Sequence, residues 1–288
     1  MTISCWLPTY FALKMARTSA QALSSASGGG CGLTIRVQCL RLPTFPLPCV
    51  TQSSPTPAPP RIALIHATSL AVAPVQAAFA RHWPPAQCMN LLDDSLSADH
   101  ARAGGVLSTA MTQRFVDLAL YTQRAGCSGI LFTCSAFGQS IEAAGAAVGM
   151  PTLKPNEAML EEALALTAFD GVTAKIGLIA TFEASIASMS AELHTLAKAR
   201  GRTIELRTAF VPEAMQDLSE GRADMHHAKI AETAARALAD CGVVMLAQFS
   251  MAAALPEVQA RVVGKVLSSP DCAVLALRSH YIQPASTT

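Results

Sequence analysis

Residues 61–68 read Arg-Ile-Ala-Leu-Ile-His-Ala-Thr, and residues 175–182 read Lys-Ile-Gly-Leu-Ile-Ala-Thr-Phe. Each stretch is a basic residue followed by a short apolar run, which is typical of a buried strand in a parallel sheet. The second stretch follows the first by 114 residues, counted from Ile62 to Ile176. This pair decides the fold, because the same spacing recurs further along the chain.

Two other pairs of segments share this spacing. Residues 126–134, ending at Cys134, correspond to residues 240–248, ending at Gln248, and residues 152–154 correspond to 266–268. The differences 248 − 134 and 267 − 153 are again 114, and twice 114 is 228, the length of residues 61–288. The sequence therefore predicts an α/β protein of two pseudo-symmetric, Rossmann-like halves with parallel sheets and with the site between them.

The intervals between these strands show the apolar spacing of helices. It predicts helices over 72–83, 139–148 and 156–168, with Asn156 as the N-cap residue of the last. A further strand is predicted over 89–92, and helical segments over 99–124 that Gly104 and Gly105 divide. The halves are placed at 61–171 and 172–288, and the last helix is free to pack back on the first half.

Residues 1–60 differ in composition from the rest of the chain. They contain no Asp or Glu, eight of the 17 prolines and the triplet Gly28–Gly30. This composition also resembles an organellar transit peptide, but prolines from Pro43 onward interrupt any amphipathic helix. It favours a disordered N-terminal extension, or a start codon assigned too early, over a targeting segment.

The overall composition excludes several classes of protein. With 51% hydrophobic residues, 14% charged residues and a net charge of +1, the chain is neither disordered nor suited to nucleic acid. The apolar run 241–256 is shorter than the roughly 20 residues of a membrane span. The nine cysteines form no CxxC pair, which favours a reduced, cytoplasmic protein. No phosphate loop, dinucleotide fingerprint or metal-ligand spacing is present, so neither a cofactor nor a metal is expected.

Cys134 is the residue whose position suggests chemistry. It follows an apolar strand and precedes Ser-Ala-Phe-Gly-Gln, where a helix is predicted to begin. Unpaired amides and the dipole at a helix N-terminus lower a thiol pKa, so we expect a depressed pKa for Cys134. The amides of Ser135 and Ala136 are placed to hold a carboxylate, or the enediolate formed from it. The alternative is a buried cysteine that acts as a small apolar side chain.

The stretch Thr-Cys-Ser-Ala-Phe-Gly at 133–138 resembles the first cysteine motif of the Asp/Glu/hydantoin racemase superfamily, which includes maleate isomerases and arylmalonate decarboxylases. Residues 245–252, Met-Leu-Ala-Gln-Phe-Ser-Met-Ala, resemble the second motif, which usually reads Leu-Gly-Cys. The similarity spans residues 61–288. It implies a cofactor-independent racemase or isomerase that moves a proton next to the carboxylate of an amino acid or related small acid, with Cys134 as the catalytic residue.

Gln248 departs from this pattern, because it stands where the second cysteine belongs. A carboxamide does not titrate near neutral pH, so Gln248 is expected to orient the substrate by hydrogen bonding. Superfamily members with one cysteine include decarboxylases, although their surviving thiol lies in the second half. Two alternatives therefore stay open, a decarboxylase of malonate-type acids and a catalytically inactive protein that binds a small acid.

The remaining candidates follow predicted strands, where ligands of open parallel sheets bind. Each hydroxyl has helix capping as its alternative, and Lys154 has an ion pair with a nearby glutamate. A two-base mechanism would require His66 or Lys154 as the second group. A homodimer is left open. The expected substrate-binding residues are Thr68, Ser69, Ser135, Ala136, Lys154, Thr181, Phe249 and Ser250.

Overall fold

The computed structural model describes residues 58–167 and 174–282, all within one compact unit, Thr56–Thr288. The interpretation of residues 1–60 as an extension falls almost wholly outside the described residues and stays a prediction. The predicted boundary between the halves at residue 171 also stays a prediction, because it lies within residues 168–173, between the two described ranges.

The described elements alternate between strands and helices in both halves. Those of the first half are β1 Arg61–His66, α1 Val72–His82, β2 Gln87–Leu92, α2 Ser95–Arg102, α3 Thr109–Arg124, β3 Gly129–Phe132, α4 Gly138–Val148, β4 Thr152–Leu153 and α5 Glu157–Leu166. Those of the second half are β5 Ala174–Ala180, α6 Glu183–Ala199, β6 Ile204–Phe210, α7 Pro212–Ser219, α8 Ala223–Ala237, β7 Val243–Leu246, α9 Leu255–Gln259, β8 Lys265–Ser268 and α10 Ser269–Ser279.

The strands form two parallel sheets with the same topology. Their orders are β2-β1-β3-β4 and β6-β5-β7-β8. Ile62 pairs with Gly129 in the first sheet and Ile176 with Val243 in the second, so the register also repeats at the spacing of 114. The predicted α/β fold of two parallel-sheet halves is confirmed.

The apolar run of β1 is explained by helices on both faces of its sheet. Ile62 and Leu64 pack on the side of α1 and α10, whereas Ala63 and Ile65 pack on the side of α3 and α4. Successive side chains of a strand point to opposite faces, so a strand covered on both sides carries no polar alternation.

The last helix of each half packs in the core of the other half. Met159 of α5 lies in one cluster with Leu178 of β5, and Val274 of α10 lies in one cluster with Phe79 of α1. The two halves therefore share their cores.

Asp271, at the start of α10, adds polar contacts to this packing. Its carboxylate accepts hydrogen bonds from Ser268 Oγ at 2.6 Å, Arg81 Nη2 at 2.6 Å and His82 Nε2 at 2.9 Å. Burial alone would raise the pKa of Asp271, but these partners outweigh it and lower the pKa. The carboxylate therefore stabilises the junction of α10 with α1.

Several local predictions can be compared with the structure. Gly104 and Gly105 have positive φ angles and separate α2 from α3, as predicted. Asn156 is the N-cap residue of α5 as predicted, although its side chain makes no capping hydrogen bond. Strand β6 was not identified, because Ala209 is the one buried residue among its seven. None of the described helices is both long and apolar enough to cross a membrane.

Candidate active site

A cavity of about 390 Å³ lies where strands of both sheets end. We call it the central cavity. The first half contributes residues that follow β1, β3 and β4 together with one residue of α2, and the second half contributes the starts of α6 and α7 and the segment after β7. Its polar and aromatic lining comprises Thr68, His100, Thr133, Cys134, Ser135, Asn156, Phe182, Ser185, Ser188, Gln248, Phe249 and Ser250.

Cys134 lines this cavity directly after β3. Its backbone is extended, and a short 3-10 turn, Ser135–Phe137, separates it from the first residue of α4. Burial raises the pKa of the Cys134 thiol, and the backbone amide of Ala136 lowers it by less. The prediction of a depressed pKa is therefore wrong, because loss of hydration outweighs the amide at this helix start. A thiol with a raised pKa keeps its proton near neutral pH and is a proton donor.

Gln248 occupies the corresponding position after β7. Its Oε1 accepts hydrogen bonds from the Thr181 backbone N–H at 3.0 Å and from Thr181 Oγ1 at 3.2 Å. A backbone N–H only donates, so this contact fixes which end of the carboxamide faces Thr181. Gln248 Nε2 is buried and has no hydrogen-bond partner among the described residues. An N–H donor that is unpartnered in the described chain therefore belongs to a residue that lines the cavity.

Asn156 is a second carboxamide of the cavity lining, and it was predicted above as a helix N-cap. Its side chain is 3% exposed, and Oδ1 accepts a hydrogen bond of 2.8 Å from Ser269 Oγ. Asn156 Nδ2 is buried and unpartnered within the described part of the chain. Asn156 lies three residues after the end of β4, and its predicted role as a helix N-cap did not indicate substrate binding.

His100 of α2 was missed entirely. Its Nε2 is buried without a partner among the residues described, and its ring lies 4.9 Å from the ring of Phe137. Within the described lining of the cavity, His100 and Cys134 are the titratable side chains. Inspection of strand ends does not find His100, because it lies in the second turn of α2.

The predicted residues Ser69, Lys154 and Thr181 do not belong to the lining of the central cavity. Lys154 lines an adjoining cavity of about 360 Å³ and pairs with Glu142, Nζ to Oε1, at 2.9 Å. Desolvation would lower the pKa of Lys154, but Glu142 and two further glutamates raise it overall. Thr181 supports Gln248, as described above. Ser135 and Ala136 border both cavities.

His66 and Thr68, two further candidates near the end of β1, lie in different environments. His66 is fully buried within β1, where Nδ1 bonds Thr133 Oγ1 at 2.9 Å and Nε2 bonds Asn90 Oδ1 at 3.1 Å. Burial lowers the pKa of His66, and the Asn90 contact opposes it. It is a satisfied core histidine away from the cavity. Thr68 does line the cavity, and its Oγ1 also caps the following turn through the Leu70 amide at 3.4 Å.

The sequence matches no protein-family model and no curated protein. Similar solved structures include allantoin racemase from Klebsiella pneumoniae, at 17% identity and a TM-score of 0.56 over 77% of this chain and 87% of that one. Glutamate racemase from Bacillus anthracis is 16% identical with a TM-score of 0.56, over 77% and 81%. Arylmalonate decarboxylase is 17% identical with a TM-score of 0.53, over 78% and 94%.

The chain shares its fold with these solved structures, which include two racemases and a decarboxylase. At these identities the likeness establishes the fold alone, so the reaction must be argued from the site. The described part of the chain contains no group of three or more His, Cys, Asp or Glu side chains placed to hold a metal ion.

Proposed function

We propose that this chain is a cofactor-independent enzyme that transfers a proton at the carbon next to a carboxylate, as a racemase or isomerase does, with Cys134 as a catalytic residue. The observation that carries the proposal is the place of Cys134. It is the cysteine that lines the central cavity in the described chain, and it lies beside the backbone amides of a helix start. The substrate is a small acid, and the cavity of about 390 Å³ suits one.

Donors around the cavity support the binding of a carboxylate. The backbone amides of Ser135 and Ala136 follow Cys134, and the unpartnered Gln248 Nε2 and Asn156 Nδ2 belong to residues of the same lining. Negative charge grows on the carboxylate oxygens as a carbon acid becomes an enediolate. Donors that are already oriented toward such charge stabilise it without reorganisation, which is often the largest contribution to catalysis.

The protonated Cys134 thiol supplies the hydrogen that the enediolate needs. The S–H bond breaks, a C–H bond forms at the former carbanion carbon, and the sulfur is left as a thiolate. The raised pKa keeps the proton on the Cys134 thiol at neutral pH, so a proton donor is present when the enediolate forms.

A second candidate reaction is decarboxylation of a malonate-type acid. The specific observation in its favour is the pairing of a protonated thiol with a carboxamide, Gln248, at the other strand end. Loss of CO₂ generates the enediolate without a base, so one proton donor completes the reaction.

The proposal is tested by incubating the protein in D₂O with alanine, 2-phenylpropionate, hydantoin and phenylmalonate, following the α carbon by NMR. We expect deuterium exchange into one of the first three, with inversion for a racemase, or release of CO₂ from phenylmalonate for a decarboxylase. Cys134→Ser should abolish the reaction, and Cys88→Ser, outside the cavity, should not. Binding without exchange or CO₂ release would show an inactive acid-binding protein and overturn the proposal.

A further inference from the structure

The imidazole of His100 lines the central cavity together with Cys134. His100 Nε2 is buried and unpartnered within the described residues, although imidazole nitrogens are strong hydrogen-bonding groups. The ring packs at 4.9 Å on Phe137, which follows Cys134 by three residues. Phe137 in turn packs on Phe115 at 4.8 Å. The imidazole is therefore held by aromatic packing against the turn that follows Cys134.

The charged groups near His100 are engaged with one another. On its own helix, Asp99 binds Arg114 of α3 at 2.6 Å and Arg102 at 3.0 Å. Asp93, before α2, binds Arg114 at 2.7 Å. The Ser135–Phe137 turn carries no charged side chain. Apart from His100 itself, Cys134 is the titratable side chain in the described lining of the cavity. This leaves Cys134 as the ionisable group that shares the cavity with His100.

The internal repeat shows that this imidazole belongs to one half only. Helix α7 follows β6 as α2 follows β2, and its contribution to the cavity lining is Met215. The first half thus supplies a thiol and an imidazole, while the second supplies a carboxamide and a thioether. A thioether offers no proton chemistry at these positions.

We propose that His100 is the second proton-transfer residue of the site, working with Cys134 in place of the missing second cysteine; this inference rests on the proposed function. With hydrogen on Nδ1, the Nε2 lone pair takes the proton from the α carbon, and the C–H electron pair moves into the enediolate. The enediolate then takes the thiol proton of Cys134. The imidazolium returns its proton through water to the thiolate, so both groups regain their starting states.

The assignment predicts a pH dependence with a defined sign. A base works when neutral, so the exchange rate should rise with pH as the base loses its proton. Loss of a positioned general base lowers rates by about 10²–10⁴-fold. A residue with a purely structural role would lower the rate without removing that ionisation from the profile.

The experiment measures α-carbon exchange in D₂O from pH 5.5 to 9 for whichever of alanine, 2-phenylpropionate and hydantoin the wild type exchanges fastest. His100→Gln keeps a polar side chain and His100→Phe keeps the packing on Phe137, so failure to fold is separated from loss of the base by comparing melting curves. His194→Gln changes an exposed histidine and is the matched control.

We expect the two His100 variants to exchange about 10²–10⁴-fold more slowly than the wild type and to lose the rise of the rate with pH. His194→Gln should keep the wild-type rate and the wild-type pH profile. Free imidazole should restore exchange in a His100→Ala variant. If the His100 variants keep the wild-type rate and pH profile while Cys134→Ser is inactive, this inference is overturned and the proposed function stands. If the wild type exchanges none of the three compounds, the proposed function fails and the role of His100 fails with it.

Discussion

Replacing Gln248 with Glu exchanges an N–H donor for a carboxylate oxygen at almost constant shape. The Thr181 N–H and O–H keep their acceptor, because the retained oxygen takes the place of Oε1. The second oxygen takes the place of Nε2, a buried atom without a partner among the described residues. Leaving a buried polar group unsatisfied costs about 1–3 kcal/mol, and more for a charge, so the variant should melt below the wild type.

The larger effect concerns the binding of a carboxylate ligand. A hydrogen bond to a charged group contributes about 1.5–3 kcal/mol, which converts to a loss of roughly 10- to 150-fold in affinity, before any repulsion between like charges. The assay is calorimetric titration with 2-phenylpropionate at pH 7.5, beside Gln76→Glu, an exposed change on α1. Unchanged affinity in Gln248→Glu would refute the assignment of Nε2 as a ligand donor.

Three other outcomes are expected. Gln248→Cys restores the thiol pair and should raise racemisation of 2-phenylpropionate above wild type by chiral chromatography; no gain would count against Gln248 as the equivalent position. Brief iodoacetamide treatment should label Cys134, which lines the cavity, before Cys88 and Cys272, since burial raises the pKa of Cys88 to about 11 and that of Cys272 to about 12; peptide mapping decides the order. Asp271→Asn should lower Tm, by about 2–4 °C per kcal/mol lost. Because the folded pKa of Asp271 is lowered, its stabilisation is present above about pH 4 and should vanish as pH falls through the folded pKa, which melting curves across pH will show.

The sequence was sufficient for the fold because the repeat is encoded in fully buried strands. The runs at Ile62 and Ile176 are apolar on both faces, so their similarity survives divergence of everything around them. The edge strand β6 escaped detection because its side chains are mostly partly exposed and carry mixed polarity. A strand could therefore be recognised in the sequence only to the extent that its side chains are buried on both faces of the sheet.

The site was predictable only where it follows strands directly. Cys134 and Gln248 lie at equivalent strand ends, and both were identified with their neighbours. His100 was missed because it reaches the cavity from within a helix, and only the packing on Phe137 shows where its ring lies. The direction of the Cys134 pKa was predicted wrongly, because depth of burial is a tertiary property that the flanking residues do not reveal.

The two halves contribute unlike groups to the cavity, Cys134 and His100 from the first and Gln248 and Met215 from the second. For interconversion of mirror-image acids the equilibrium constant is one, so the ratio kcat/KM must be equal for the two enantiomers whatever the catalyst looks like. This asymmetry can then appear only as compensating differences in kcat and KM, the more tightly held enantiomer turning over more slowly. Decarboxylation obeys no such equality, and the same asymmetry would there dictate a single handedness of product.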